Sequence, residues 1–477
     1  MIDFQELIKA CESDLRGGQS HLVTSRLSAV RLSEIPQAHR LALANICRRA
    51  GLLATGLKIL SVSMSRTPSS GELAEYAVLL ERSGAVKEAL STLARVDTST
   101  TPEAFLYRAF CHFKSWDYVE AIPELKAYIA QAATPYSGLV GRVNLAAAYI
   151  VDGRDLHALD LLTGNIAMAE ENSFDRLRGN CFELQAQVHF FSRRFKMARE
   201  SLNQAAAIFS QEKSFDQFFV RKWQTILTAF EQKDSTNLKL LRDEALKRRD
   251  WETVREADLF SLQIKFDVKD FNRLYFGTPF LSYRKRIEKL LQRQPSSDRF
   301  NYGDLGGRAF DLATARFNDG TSATAGKLNH RLLAVLLRDL YRPLHIGGIF
   351  AEVFPEERFD IYSSPGRIHH LQFRTRQWLR ENRIGAELVE DKKTYSMRTQ
   401  TGFAFSLSLS ENEVAGWLPY WNILKSSESK VEHFTAAEVR DALSLKSSSC
   451  KRFLKWAIDS GRLVRNGDNN RSYYSLA

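Results

Sequence analysis

Cysteine is scarce in this chain. There are five in 477 residues, at Cys11, Cys47, Cys111, Cys181 and Cys450. The number is odd and no CxxC pair occurs, which excludes a disulfide framework and argues for reduced thiols in a cytoplasmic setting. Proline is sparse, with 11 residues, so helices can run through most of the chain. No stretch of about 18 uninterrupted apolar residues is present, so neither a membrane-spanning helix nor a membrane partner is expected. The opening MIDFQELIKACESDL carries acids and has no apolar core of the kind a secretory leader needs. HExxH, GxSxG, a dinucleotide fingerprint and zinc-type Cys/His spacing are all missing. No catalytic residues, no metal site and no cofactor are expected, and the chain reads as a non-enzyme. One segment imitates a phosphate-binding loop, Gly320 to Lys327. It has five residues between its glycines instead of four, and Leu328 where a metal-binding hydroxyl belongs.

The balance that remains is globular. Hydrophobic residues make up 44% and charged residues 26%, and the length calls for two to four domains. Lys and Arg outnumber Asp and Glu by 67 to 56, a net charge of +11, which is compatible with a polyanionic partner. The excess is local. Arg367 to Arg383 holds five Arg and one Glu, and Ser447 to Arg471 holds six basic residues against two acids.

Residues 1–267 contain almost no alternating pattern. A turn with Gly or an aromatic recurs instead, followed by a helix with a small residue in its first turns: Gly56, Ala89, Ala121, Ala158 and Ala198, spaced by 33, 32, 37 and 40 positions. The pattern resembles the tetratricopeptide repeat, two helices in about 34 residues. That resemblance implies a superhelix whose concave surface takes a protein or peptide partner. A scaffold or a homodimerisation surface is the other use open to such an array. Arg248–Ile264 suits a last, atypical unit. The basic run Arg284-Lys285-Arg286 then reads as the wet face of a connecting helix in 268–299.

From Phe300 the texture changes to strands, with turn signals at Gly306-Gly307 and Asn318-Asp319-Gly320. Leu332, Leu333, Leu336, Leu337 and Leu340 form one apolar helix face, and Ile346–Val353 reads as a second short helix. Ser363 to Arg383 reads as a third, capped by Ser363 or Ser364 with Pro365 in its first turn. Ile368, Leu371, Thr375, Trp378 and Leu379 share one side of it. His369, His370, Phe373, Gln377 and Arg380 share the other, flanked by Arg374 and Arg376. A charged hairpin follows. The adjacent rings of His369 and His370 diverge by about 100°, which suits phosphate or base contact better than joint metal ligation.

Strands, three helices and a hairpin in that order resemble the OmpR/PhoB-type winged helix-turn-helix of bacterial transcription regulators over about Phe300 to Phe405. The resemblance implies that Arg367, His370, Arg374, Arg376, Gln377 and Arg380 face double-stranded DNA from a recognition helix, with Lys392, Lys393 and Arg398 in the wing. A second, compact winged helix is the reading for 408–477. Thr435 and Glu438 form a capping box, Ser447 or Ser448 caps the next helix, and Gly461 closes it. Ser448, Ser449, Lys451, Arg452 and Lys455 are its exposed positions, and Arg465 and Arg471 flank its wing.

The expected fold is therefore mainly α: an N-terminal helical repeat superhelix (1–267), a connecting helix (268–299), and two C-terminal winged-helix α+β domains (300–407 and 408–477). The function this implies is a cytoplasmic prokaryotic DNA-binding transcription regulator. The alternative is a non-enzymatic adaptor whose winged helices contact proteins.

Overall fold

A computed structural model describes residues 3–16, 19–28, 30–210, 215–304, 306–409, 414, 416–427, 433–467 and 472–477. The chain divides into two compact units. One comprises Met1–Leu274, Phe280–Arg293 and His345–Pro365; the other comprises Tyr275–Pro279, Gln294–Leu344 and Gly366–Ala477. This grouping cuts across the boundaries drawn from sequence.

The first unit starts with α1 (Phe4–Arg16) and α2 (Ser20–Ser28). Helix pairs follow: α3 (Gln37–Arg49) with α4 (Leu53–Met64), α5 (Ser70–Arg82) with α6 (Val86–Leu93), and α7 (Glu103–Lys114) with α8 (Tyr118–Ala130). Next come α9 (Pro135–Asp152) with α10 (Asp155–Glu171), α11 (Asp175–Phe191) with α12 (Phe195–Ile208), and α13 (Phe215–Gln232) with α14 (Thr236–Arg248). Then come α15 (Trp251–Ile264), α16 (Val268–Phe276) and α17 (Leu281–Leu291).

One turn is repeated in all these pairs. Gly51, Gly84, Trp116, Gly153, Arg193 and Lys233 take positive φ, from 54° to 88°. The next residue's amide then donates to the carbonyl five positions back, as in Leu52 to Cys47 at 2.7 Å and Arg154 to Tyr149 at 2.8 Å. This is the Schellman closure of a helix, and it aims the chain straight into the next one. Five positions past each turn residue stand Gly56, Ala89, Ala121, Ala158 and Ala198, all buried. A Cβ on Gly56 would lie only 3.0 Å from Leu79, so the paired helices meet closely there. The sixth place holds Leu238, also buried. The unit is thus an array of tetratricopeptide type.

The basic run on α17 is a wet face only at Lys285, which is exposed; Arg286 is half-buried. Tyr283 and Arg284 are buried. The Arg286 guanidinium lies 5.5 Å from the Trp116 ring and 5.6 Å from the Phe191 ring, with Glu256 at 3.8 Å. Trp116 Nε1 donates to Glu252 at 2.9 Å, and Ser282 Oγ donates to the Trp116 carbonyl at 2.6 Å. Arg286 is thus spent on cation–π and carboxylate contacts within the repeat unit.

The chain continues through β1 (Arg299–Gly303), β2 (Arg308–Asp311), β3 (Arg316–Phe317), α18 (Leu328–Leu337), β4 (Leu344–His345), α19 (Ile346–Val353), α20 (Ser364–Glu381), β5 (Ala386–Asp391), β6 (Thr394–Thr399) and β7 (Phe403–Ser408). The order matches expectation, but the first sheet is assembled differently. Its strand order is β1-β7-β2-β3, with β7 antiparallel to β1 and parallel to β2. Gly306-Gly307 is therefore not a hairpin turn. It carries the chain around the entry of β7, and a Cβ on Gly307 would lie 1.8 Å from the Gly402 carbonyl oxygen. The strand FAFSLS is apolar enough to need a partner on both edges, and it takes the centre. A second sheet holds β5 and β6, with a short strand opening at Leu344 beside β6.

The last segment forms α21 (Leu418–Ser427), α22 (Ala436–Ala442), α23 (Ser447–Asp459), β8 (Leu463–Asn466) and β9 (Tyr473–Leu476) around its own small core of Val439, Leu443, Phe453, Leu454 and Leu463. The Thr435–Glu438 capping box is present, and Gly461 ends α23 with φ of 66°. Ser447 is already helical; Lys446 is the N-cap position and makes no side-chain cap. Arg316 donates to the Ala442 carbonyl at 3.1 Å, one of the bonds that group this segment with the sheet.

Candidate functional site

Helix α20 is set by the residues before it. The Asp360 carboxylate accepts the amides of Tyr362 (3.1 Å) and Ser363 (2.8 Å), and Ser364 Oγ accepts the Asp360 amide at 2.9 Å. These bonds satisfy polar groups around the helix start, so Asp360 shares the role assigned to the serines, and they hold its carboxyl below the usual range. Ile368, Leu371, Thr375, Trp378 and Leu379 are buried, as the periodicity requires, and Gln372 joins them. At the far end Arg383 takes φ of 53° and the Ile384 amide bonds to the Leu379 carbonyl at 2.9 Å.

The opposite face is open. Arg367, His369, His370, Phe373, Arg374, Gln377 and Arg380 are exposed, Phe373 by 62%, while Arg376 is half-buried. Gln377 donates to Glu381 at 2.7 Å. Among the described residues, no carboxylate pairs with Arg374, Arg376, Arg380 or Arg383. Arg376, Arg380 and Arg383 rim a groove of about 550 Å³ between α20 and β5, floored by Leu379, Ile384 and Ala386.

The β5–β6 hairpin closes with Lys392 and Lys393, at φ of 47° and 64°. A two-residue turn with both φ positive normally takes Asn-Gly. A non-glycine residue there costs about 1–3 kcal/mol, so two lysines place charge at the tip against conformational preference. Arg398 stands directly opposite Glu387 in the hairpin register. Tyr395 links hairpin to helix, its hydroxyl 3.5 Å from His369 Nε2.

The structure therefore brings Arg367, His370, Arg374, Arg376, Gln377 and Arg380 onto one helix, with Lys392 and Lys393 on the adjoining hairpin. On α23, Ser448, Lys451, Arg452 and Lys455 are exposed, and Ser449 is half-buried and accepts from Arg452 at 3.4 Å. Arg465 donates to Ser472 at 2.8 Å. Arg471 lies outside the described residues. Sequence reasoning missed Arg308. Its guanidinium donates to Asp319 (2.9 Å), Thr321 (2.8 Å) and the carbonyls of Asn382 (3.1 Å) and Arg383 (3.2 Å), and it sits 3.5 Å over the Phe317 ring. It ties the chain just past the end of α20 to the turn that follows β3. Only its isolation among turn residues could have signalled this.

All five cysteines are free and buried. Among the described residues no group of three or more His, Cys, Asp or Glu could hold a metal ion, and no helix is long and apolar enough to cross a membrane. No family model and no curated protein matches the chain. Among solved structures, a tetratricopeptide repeat protein from Parabacteroides merdae aligns over 61% of this chain and 97% of its own, with 17% identity and a TM-score of 0.35. A putative kinesin light chain with nearly identical TPR-like repeats, from Podosopora anserina, aligns over 44% and 97%, with 16% identity and a TM-score of 0.26.

Proposed function

We propose that this chain is a non-enzymatic adaptor of the cytoplasm. Its tetratricopeptide-type array takes a protein or peptide partner, and its second unit carries winged-helix modules, the first of which binds duplex DNA. Transcription regulation is the process such a pairing serves. The reading is carried by the open face of α20. Five guanidinium or imidazole groups stand in water on a helix whose other face closes a core, beside a hairpin tipped with two lysines. A helix of that width and charge suits the major groove, and cationic tips suit backbone phosphates.

Binding to a random-sequence duplex, titrated with salt, tests it. Each neutralised phosphate contributes about −0.9 to the slope of log K against log salt. Five contacts or so predict a slope of about −4 to −5, and Arg374→Ala with Arg380→Ala should reduce its magnitude by about 2. A folded chain that binds no duplex at low salt would remove DNA from the proposal and leave the adaptor, with α20 turned to an acidic protein surface.

A further inference from the structure

The β5–β6 hairpin leaves one edge of its sheet open. The strand order is β4-β6-β5, so β5 is terminal among the described residues. In an antiparallel pair, alternate residues turn their main-chain groups toward the partner strand and the rest turn them away. The Gln400 amide donates to the Gly385 carbonyl at 2.9 Å, one step before the Ala386–Thr399 pair, and this sets the phase. Glu387, Val389 and Asp391 turn their amides and carbonyls to β6. Ala386, Leu388 and Glu390 turn theirs to the edge. The Ala386 amide is closed locally on the Ile384 carbonyl at 2.8 Å. The Ala386 carbonyl and both main-chain groups of Leu388 and Glu390 are left to the open edge, along about 14 Å at 3.4 Å per residue.

This edge runs along the arginine-rimmed groove. Arg376, Arg380 and Arg383 follow one another at spacings of four and three on the α20 side, and Ala386, Glu387 and Leu388 of β5 belong to the lining. Glu387 is the one acid in that lining, against three guanidiniums. Glu390 and Asp391 stand beyond it, next to Lys392 and Lys393 at the hairpin tip. Leu379, Ile384, Ala386 and Leu388 make the floor apolar. Open main-chain donors and acceptors, guanidiniums without a carboxylate and an apolar floor are three needs that one added strand meets together.

We infer that the open edge of β5 takes an extended acidic segment of a partner protein as a further strand of this sheet. The segment's carboxylates meet the three arginines, and its apolar side chains meet the floor. Main-chain bonds supply affinity and the arginines select the sequence. The face assigned to duplex DNA lies further round α20, at His370, Phe373, Arg374 and Gln377, while Arg376 and Arg380 border both. The inference therefore goes beyond the duplex reading and does not depend on it.

The probe is a fluorescein-labelled peptide in which Glu and Val alternate, added to the full chain. Arg376→Ala with Arg383→Ala should weaken its binding about tenfold or more. Arg374→Ala, outside the groove, should change it by less than about twofold. Hydrogen exchange should show the Leu388 amide slowed about tenfold or more when the peptide is saturating. Strand pairing also has a signature that charge alone lacks. Alternate amides of an added strand face β5 and the others face water. Methylating the nitrogens of the Glu amides, or those of the Val amides, should therefore abolish binding in one case and spare it in the other. Equal binding of the two methylated peptides, or an unchanged Leu388 amide, would reduce the contact to loose charge attraction and overturn the inference. A chain that binds no peptide even at low salt would overturn it as well. So would a dimer, seen by sedimentation, that the peptide dissociates, since the edge would then belong to a second copy.

Discussion

At the scale of single residues, one buried and one half-buried polar group carry testable weight. His330 is fully buried; its Nε2 lies 2.8 Å from the Leu312 carbonyl and its Nδ1 accepts the Gly326 amide at 3.1 Å. Burial lowers its pKa to about 4, against 6.5 ordinarily. The folded state thus refuses a proton that the unfolded state takes up. Its contribution is complete above pH 6.5 and is lost progressively as pH falls from 6.5 toward 4. At 1.36 kcal/mol per pH unit the loss approaches about 3 kcal/mol, and urea unfolding at pH 7 and pH 4.5, with and without His330→Gln, measures it. Arg308 is the second group. Arg308→Lys keeps the charge but cannot span four acceptors, so it should destabilise the second unit by about 2 kcal/mol, nearly as much as Arg308→Ala, in chemical denaturation. Neither role was legible in the sequence. A lone histidine and a lone arginine acquire partners only when distant turns are brought to them.

At the scale of elements, local chemistry was readable and close approaches were not. The capping box at Thr435, the turns at Gly51, Gly84 and Gly153, and the buried stripe of α20 all depend on neighbours within a few positions, and all were found where the spacing put them. Gly179 was not foreseen. A Cβ there would stand 2.6 Å from the Phe209 ring, so Gly179→Ala should cost about 1–3 kcal/mol through overpacking. Gly164→Ala, also on a helix but facing open space, should gain about 0.5–1 kcal/mol. Thermal melts of the two variants separate a packing glycine from an idle one. The hairpin tip allows the converse experiment. Lys393→Gly relieves the positive φ and should stabilise the hairpin, while lowering the duplex salt slope by about 1 if that lysine meets a phosphate.

At the scale of the molecule, the division into two compact units predicts two transitions in calorimetry rather than one. Acidification from pH 7 to 4.5 should lower the transition of the unit that holds His330, and His330→Gln should lessen that shift while leaving in place the fall of the other transition, to which His189, its pKa lowered by burial, contributes. A single transition that shifts as a whole would show that the units unfold as one.

The sequence alone determined the helical repeat, because each turn closes on its own carbonyls and each small residue sits a constant distance from its turn. It determined, too, which face of α20 is apolar. Only the tertiary structure decided that β7 runs between β1 and β2, that Arg286 of α17 is spent on aromatic rings and a carboxylate, and that residues 345–365 belong with the repeats. Those are contacts between parts of the chain tens to hundreds of residues apart. Their free energy comes from surfaces that exist only after the local elements have formed, so no periodicity or spacing along the chain encodes them.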